Sequence, residues 1–302
     1  MHEGSHRAIV AALVANLGIA IAKLVGFAIT GAASMLAEAV HSIADTSNQA
    51  LLLIGGRRAR RAATVAHPFG YGRERYFWAF VVALVLFLLG GVFAVFEGID
   101  KLRHPHDLES ATVAIVILLV AIVLEAFSFR TAVVEASRER GALGWWAFIR
   151  HAKGPELPVV LLEDSGALIG LVLALFGVGL GAITDNARWD ALGSLGIGIL
   201  LVVIAAVLVV EMKSLLIGEG ASTTDEATIR STLESSPSIR RLIHLRTQHL
   251  GPDELLVGAK IELDHTLTLP EIAKYIDEAE QRVRTAVPKA RVIYLEPDVA
   301  RQ

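Results

Sequence analysis

Long apolar runs alternate with short polar connections from residue 8 to residue 217. Six of these runs reach about 20 residues, which is the length that an α-helix needs to cross a bilayer. The predicted spans lie at approximately 8–30, 33–54, 76–99, 111–131, 157–183 and 190–217. The pattern therefore predicts an α-helical membrane protein with six transmembrane helices.

The pattern changes at about residue 219, where shorter periodic segments replace the long apolar runs. A helix is predicted at Thr223, which has Glu226 three residues further on in the spacing of a capping box. The segments RLIHLRTQH and ELLVGAKIELD alternate as strands about a Gly251-Pro252 turn. A second amphipathic helix, PEIAKYIDEAEQRVRTAV, and a last strand, ARVIYLE, complete the order α-β-β-α-β.

These patterns divide the chain into two predicted domains. Residues 1–218 form a six-helix transmembrane domain, and residues 219–302 form a small α+β domain. About 80 residues are enough for such a domain to fold by itself.

Basic residues are concentrated in two of the connections between the predicted spans. The second-to-third connection holds Arg57, Arg58, Arg60, Arg61, Arg73 and Arg75, and the fourth-to-fifth connection holds Arg138, Arg140, Arg150 and Lys153. The positive-inside rule places both connections in the cytoplasm. An even number of spans then predicts a multi-pass integral membrane protein whose two termini, and the domain 219–302, are cytoplasmic.

The second apolar run carries polar residues at membrane depth, in the stretch AEAVHSIADTSNQALLL from residue 37 to 53. Polar groups are costly there, so they usually face a protein interior and mark an ion pathway. His41 and Asp45 are four residues apart and therefore share one helix face. An imidazole and a carboxylate on one face can share a divalent cation. The structural alternative is a hydrogen-bonded contact between helices.

The fourth and fifth runs also contain carboxylates. Glu163 and Asp164 are adjacent within an apolar helix and point about 100° apart, so we expect one to face the second span and the other a different neighbour. Glu125 in the fourth run is flanked by apolar residues. It is either a proton carrier or an anchor between helices, and its position does not separate the two roles.

Composition excludes several classes of protein. Of the 302 residues 54% are hydrophobic, which is typical of a membrane protein. The absence of cysteine excludes thiolate metal sites, disulfides and thiol redox chemistry. The net charge of −3 implies no bulk attraction to nucleic acid. No nucleophile with a paired base is visible, which disfavours a membrane enzyme.

Five segments together resemble the cation diffusion facilitator family: AEAVHSIADTSNQALLLIG, HPFGYGRER, FEGIDKLRHP, LLEDSGALIG and MKSLLIGEGAS. The resemblance covers nearly the whole chain and implies six spans followed by a ferredoxin-like cytoplasmic domain. It further implies a homodimeric, proton-coupled exporter of divalent metal, usually zinc, that works by alternating access around a midplane site. The adjacent Glu-Asp of the fifth span is similar to a divergent branch that includes a mitochondrial zinc transporter group.

The resemblance also implies metal-ligand roles for particular residues. The family's transport site takes two ligands from the second span and two from the fifth, each pair four residues apart. His41 and Asp45 match the first pair, and Asp164 matches one position of the second. The residue four before Asp164 is Val160, whose aliphatic side chain cannot bind a metal.

The fourth ligand and the identity of the ion are left open by the residues present. Glu163 and Asn48, which lies on the face of the second-span pair, are the candidates for a fourth ligand. Three protein ligands plus water also satisfy Zn²⁺. A carboxylate-rich site with one imidazole equally suits Mn²⁺, Fe²⁺ or Co²⁺.

Two further metal sites of the family are degraded in this sequence. The matching positions of the second-to-third connection are Thr64, His67 and Tyr71, of which only the histidine is a metal ligand. In the C-terminal domain the matching positions are Ile243, Lys260, Lys274 and Tyr294, while its histidines, His244, His249 and His265, fall elsewhere. We therefore expect a cytoplasmic domain that does not sense metal, with a relocated histidine site as the alternative.

These observations predict a proton-coupled divalent metal exporter whose partners are the ion, protons, the lipid bilayer and a second copy of the chain, with no nucleic acid. His41 is the residue expected to exchange protons, because an imidazole titrates near neutral pH and a metal needs its deprotonated form. The alternative, from a different class, is a membrane scaffold or metal sensor that does not transport. Metal flux into proteoliposomes separates the two hypotheses.

Overall fold

The computed structural model describes residues 3–30, 33–104, 111–186 and 188–299. Within the first two helices it describes only part of the side chains, and that of His41 lies outside the described set. The chain forms two compact units. The membrane unit comprises Met1–Arg58 and Glu74–Lys213, and the C-terminal unit comprises Ala59–Arg73 and Ser214–Gln302. The division into domains 1–218 and 219–302 stays a prediction.

The described part of the chain as far as residue 217 contains eight α-helices and one π-helical segment. They are α1 (Glu3–Thr30), α2 (Ala33–Arg58), α3 (Glu74–Val85), the π-helical segment (Leu86–Val92), α4 (Phe93–Arg103), α5 (Ala111–Arg140), α6 (Trp145–His151), α7 (Glu156–Thr184) and α8 (Arg188–Ile217). The segments α3 to α4 run on without a break as one helix of 30 residues.

Among the described residues, four helices are long and apolar enough to cross a membrane: Glu74–Arg103, Ala111–Arg140, Glu156–Thr184 and Arg188–Ile217. They coincide with the last four predicted spans and confirm the membrane class. The first two predicted spans, 8–30 and 33–54, fall on α1 and α2. The count of six spans stays a prediction.

Glycine brings the third predicted span into close contact with α8. A Cβ on Gly91, in the π-helical segment, would lie 3.1 Å from the backbone nitrogen of Val202. A Cβ on Gly198 of α8 would lie 2.6 Å from the nitrogen of Val95. Small residues allow two membrane helices to pack backbone against backbone in this way. The third predicted span and α8 are therefore close neighbours in the membrane unit.

The C-terminal unit confirms the predicted order α-β-β-α-β. Its elements are α9 (Thr223–Glu234), β1 (Ile239–Gly251), β2 (Glu254–Leu263), α10 (Leu269–Ala286) and β3 (Ala290–Pro297). The strands lie in the order β1-β2-β3, with β1 antiparallel and β3 parallel to the central β2. The apolar core of this unit consists of residues between Ile229 and Leu295.

The start of α9 differs by one residue from the prediction. Ser222, not Thr223, is the N-cap, and its hydroxyl accepts a hydrogen bond from the backbone N–H of Asp225 at 3.0 Å. The capping box forms instead at α10, where Glu271 accepts from the backbone N–H of Thr268 at 2.8 Å. Successive Ser and Thr residues both satisfy the pattern before α9, and only the backbone geometry chooses between them.

The Asp264 carboxylate, just after β2, stabilises the following turn. It accepts hydrogen bonds from the backbone N–H and the hydroxyl of Thr266, at 2.9 and 2.8 Å. These bonds, with the Arg240 guanidinium, lower the pKa of Asp264 from 3.8 to about 2. A lowered pKa means that the ionised form stabilises the fold above about pH 4 and that this contribution is lost as the pH falls towards 2.

We therefore expect Asp264→Asn to lower the melting temperature of the C-terminal segment 219–302 by a few degrees at pH 7. The difference from the unmodified segment should shrink as the pH falls from about 4 towards 2, because protonation removes the same charge from the parent. Thermal melts followed by circular dichroism across this pH range test the prediction. A difference that stays constant with pH would show that the carboxylate charge is not responsible.

Candidate functional site

A cavity of about 120 Å³ lies within the membrane unit, between α1, α2, α5, α7, α8 and the π-helical segment. Its polar lining consists of Asn16, Ser42, Asp45, Glu125, Glu163 and Asp164. The rest of the lining is aliphatic side chains and glycine. The cavity thus brings together carboxylates that are far apart in sequence and come from three different helices.

Glu163 is held by two amide side chains of α2. Its Oε1 accepts a hydrogen bond from Asn48 Nδ2 at 2.9 Å, and its Oε2 accepts one from Gln49 Nε2 at 3.0 Å. Asn16 Nδ2 in turn donates to Gln49 Oε1 at 3.4 Å. All four residues are buried, with Glu163 only 4% exposed. Both carboxylate oxygens of Glu163 are therefore engaged in joining α7 to α2.

Asp164 faces a different helix. Its Oδ2 accepts a hydrogen bond from Ser128 Oγ of α5 at 2.7 Å, and the residue is 1% exposed. The two adjacent carboxylates of α7 thus contact α2 and α5 respectively. The hydrogen bonds of the two residues thus go to different helices, as their 100° separation predicts, while Asp164 also lines the cavity together with Asp45 of α2.

The structure describes the two predicted metal ligands of α2 to different extents. Asp45 lines the cavity together with Asp164. His41 lies one turn before Asp45 in α2, and its side chain is outside the described residues. Among the described residues, no three His, Asp or Glu side chains are grouped closely enough to hold a metal ion. The ligand set of His41, Asp45 and Asp164 stays a prediction.

Asn48 is the other candidate for a fourth ligand, and only the nitrogen of its side-chain amide has a hydrogen-bond partner. Its Nδ2 donates to Glu163, while its Oδ1 is buried without a hydrogen-bond partner. The amide nitrogen cannot bind a metal, so the oxygen is the only atom of this side chain that can serve as a ligand.

Two polar residues that contact the lining carboxylates had no role assigned from the sequence. Ser128 is the hydrogen-bond donor to Asp164, and Gln49 is the second amide that holds Glu163. Glu125 lies three residues before Ser128, on the same face of α5, and is 2% exposed. In the sequence, the signal that could have identified Ser128 was its position three residues after a glutamate within an apolar run.

Arg75 was predicted to lie in an Arg-rich connection, but it is a buried residue of a helix. It is the second residue of α3, and its guanidinium forms a bidentate ion pair with Glu156 at the start of α7. Nε donates to Oε1, and Nη2 donates to Oε2 at 2.8 Å. The side chains are 5% and 2% exposed. Charge counting along the sequence does not distinguish this buried arginine from the exposed arginines of the same connection, Arg57, Arg58, Arg60 and Arg61.

The two degraded metal sites both lie in the C-terminal unit, which includes Ala59–Arg73 of the second-to-third connection. Several of the residues at their positions contact one another or form ion pairs. Thr64 and Tyr71 share a hydrogen bond of 3.2 Å, and the rings of His67 and Tyr71 lie 4.5 Å apart. Lys260 forms ion pairs with Glu296 at 3.0 Å and with Asp298 at 2.8 Å. None of these contacts needs a metal ion.

The three histidines considered for a relocated site are all described, and they do not form a group that can hold a metal. His249 is buried, with Nδ1 3.2 Å from the carbonyl oxygen of Gly251. His265 is 83% exposed, and His244 is also exposed.

Two family models match this chain. The cation efflux transmembrane domain matches residues 9–217, and the cation efflux protein cytoplasmic domain matches residues 221–298. Together they cover nearly the whole chain.

Curated relatives come from animals, plants and bacteria. The chain is 32% identical over 265 residues to the proton-coupled zinc antiporter SLC30A9, mitochondrial, of Xenopus laevis, which covers 87% of this chain and 47% of that protein. It is 26% identical to metal tolerance protein C4 of Arabidopsis thaliana, over 90% of this chain and 60% of that protein. It is also 26% identical to the cation-efflux pump FieF of Pectobacterium atrosepticum, over 95% and 90%. The chain spans about half the length of the mitochondrial relatives.

Proposed function

The chain belongs to the cation diffusion facilitator family, whose members are transporters and not enzymes, and from this premise we propose that it is a proton-coupled exporter of divalent metal cations. The observation that carries this proposal is the cavity at membrane depth, where Asp45, Glu125, Glu163 and Asp164 converge. Such residues within membrane spans usually mark an ion pathway.

The charge of the cavity favours a cation as cargo. None of its described lining residues is basic. Buried carboxylates are costly unless an opposite charge or a proton compensates them. A divalent cation supplies that charge when it is bound, and protons supply it when the cation leaves. The site therefore suits an exchange of protons for metal, in which binding of the ion releases protons.

We propose that His41, Asp45 and Asp164 bind the ion. The support is that Asp45 and Asp164 line one cavity and that His41 lies one turn from Asp45. Glu163 supports the site without binding the ion, since both of its oxygens accept hydrogen bonds from amides of α2. Water or Asn48 Oδ1 completes the coordination.

Zinc is the first candidate for the ion. It is supported by the name of the Xenopus laevis relative, a proton-coupled zinc antiporter, at 32% identity. Because a carboxylate-rich site with one imidazole also suits Mn²⁺, Fe²⁺ and Co²⁺, these ions are the alternatives.

The proposal includes six spans, both termini in the cytoplasm and a homodimer. The Arg-rich connections support this orientation by the positive-inside rule. The dimer is supported by the match of residues 221–298 to the family model named ZT_dimer.

The experiment that tests this function is metal flux into proteoliposomes under an imposed pH gradient. Zn²⁺, Mn²⁺, Fe²⁺ and Co²⁺ are each supplied outside the vesicles, and the internal pH is followed at the same time. We expect uptake of at least one ion, coupled to movement of protons in the opposite direction. If no ion is moved while the protein still binds zinc, the chain is a metal sensor or scaffold instead.

We further expect the C-terminal unit to fold without metal and to be unaffected by zinc. Its core lies wholly between Ile229 and Leu295, so the segment 219–302 contains the whole of it. Isothermal titration calorimetry and thermal melts of this segment, with and without zinc, test the expectation. Micromolar binding that raises the melting temperature, and is lost when His244, His249 and His265 become alanine, would contradict it.

A further inference from the structure

The buried ion pair between Arg75 and Glu156 lies at one end of the membrane unit, away from the cavity. We propose that these two side chains form a latch that holds α3 against α7 and closes the cavity towards the end of the membrane unit where α7 begins. The proposal rests on the proposed function, since it concerns how the same cavity is opened to one side at a time.

Along α7, the cavity lies on only one side of the carboxylates Glu163 and Asp164. All of the α7 residues that line it lie between Glu163 and Ala174. The preceding residues 156–161 are all buried, and Val159 and Val160 have no exposed surface. The cavity therefore extends from the carboxylates towards the C-terminal end of α7, and the side towards its N-terminal end is packed shut.

The ion pair joins two helices that both contribute to the wall of the cavity. Glu156 precedes Glu163 by seven residues, which puts it on the same face of α7 about 10 Å further along the axis. Arg75 lies in the first turn of the continuous helix Glu74–Arg103, whose later residue Leu86 lines the cavity. Opening the packed side requires these two helices to separate at the point where the pair joins them.

Separation of the helices is opposed by the geometry of the pair. Two parallel hydrogen bonds between guanidinium and carboxylate are among the strongest polar contacts in proteins, and both groups are excluded from water here. Removal of one partner weakens the closed form, because the other buried charge loses its bidentate ion pair, and water, which the opened form admits, can then stabilise that charge. The latch therefore predicts that single substitutions open the packed side and that an exchanged pair closes it again.

The natural chain contains no cysteine, so single reporters of access can be introduced without removing any. Val160→Cys reports on the packed side, because Val160 lies between Glu156 and Asp164 and is fully buried. Ala174→Cys reports on the open side, where Ala174 lines the cavity. Each full-length reporter protein is reconstituted in vesicles, and a membrane-impermeant maleimide is added from either side.

We expect the Ala174→Cys protein to be labelled rapidly and the Val160→Cys protein slowly. Adding Glu156→Gln, which is nearly isosteric, should raise the labelling rate of the Val160→Cys protein by about tenfold or more. Arg75→Glu should act in the same way, and the exchanged pair Arg75→Glu with Glu156→Arg should return the rate towards that of the parent. The matched control is Arg150→Gln, which removes a more exposed pair with Glu211 in the same unit.

Unchanged labelling of the Val160→Cys protein in both single variants would overturn the latch. An equal increase in the Arg150→Gln control would also overturn it, because it would indicate general loosening of the fold. Folding is checked by gel filtration. If Glu156→Gln does not yield folded protein, Arg75→Lys keeps the charge but loses the bidentate fork, and labelling at the parental rate there counts against the latch.

The labelling readout needs no metal, so it separates the latch from the proposed function. A parent protein that moves no ion but shows the expected labelling pattern contradicts the transport function and leaves the latch standing. A parent that transports ions and whose single variants show no change in labelling contradicts the latch alone.

Discussion

Asp164→Ala is expected to abolish metal flux in proteoliposomes, with a loss of more than about 100-fold. Changes to groups that only orient a metal ligand lower metal affinity or activity about 10–100-fold, and loss of the ligand itself lowers them at least as much. Asp164 is fully buried at the cavity and is oriented by Ser128. Flux of radioactive or fluorescence-detected zinc measures the effect, and His41→Ala and Asp45→Ala should behave similarly.

Two variants distinguish loss of the ligand from loss of the fold. Asp164→Asn keeps the size of the side chain but removes its charge, and should lose flux as fully as Asp164→Ala. Ser165→Ala, at the next position, removes a hydroxyl that donates only to the Leu161 carbonyl of its own helix, and should transport normally. Undiminished flux in the Asp164→Ala protein would show that the assignment of this ligand is wrong.

Glu163→Leu is expected to lower the stability of the membrane unit by about 2–6 kcal/mol. The substitution leaves the Asn48 and Gln49 amides as buried donors without acceptors, and each such group costs about 1–3 kcal/mol. Thermal unfolding of the detergent-solubilised protein, followed by tryptophan fluorescence, measures the change. Adding Asn48→Leu should recover part of the loss, because one of the two orphaned donors is then removed.

Glu163→Gln is the matched control, since it keeps an acceptor oxygen in nearly the same volume. We expect it to change the rate of transport more than the affinity for zinc, because we propose that Glu163 positions α7 and does not bind the ion. Flux assays and zinc titrations on the same preparation separate the two effects. Parental stability of the Glu163→Leu protein, or a zinc affinity lost in Glu163→Gln, would contradict the role assigned here.

Hydrophobic periodicity was sufficient to predict the main elements of this chain. The last four predicted spans are long apolar helices of the structure, and the C-terminal elements follow the predicted order. Such patterns are local: a helix or a strand must present apolar side chains at its own period to bury one face. The start of α9 was predicted one residue late, because Ser222 and Thr223 both suit a cap.

The candidate site was predicted in part. The cost of placing a carboxylate in an apolar run identified Asp45, Glu163 and Asp164 from composition and position alone. The angle between adjacent helical residues further predicted that Glu163 and Asp164 face different neighbours, which the bonds to α2 and α5 confirm. These conclusions need only the geometry of a single helix.

The pairing of residues between helices was decided by the tertiary structure. The sequence by itself determined which residues are polar within each span, but not which helix each of them meets. Ser128 reaches Asp164, and Gln49 reaches Glu163, because of how the helices are rotated and shifted against each other. In the sequence, Arg75 is one of several arginines assigned to a connection between spans. Only the packing of the helices brings it against Glu156. Rotation and register arise from contacts across the whole unit, such as the close approach of Gly198 to Val95, and no local pattern specifies them.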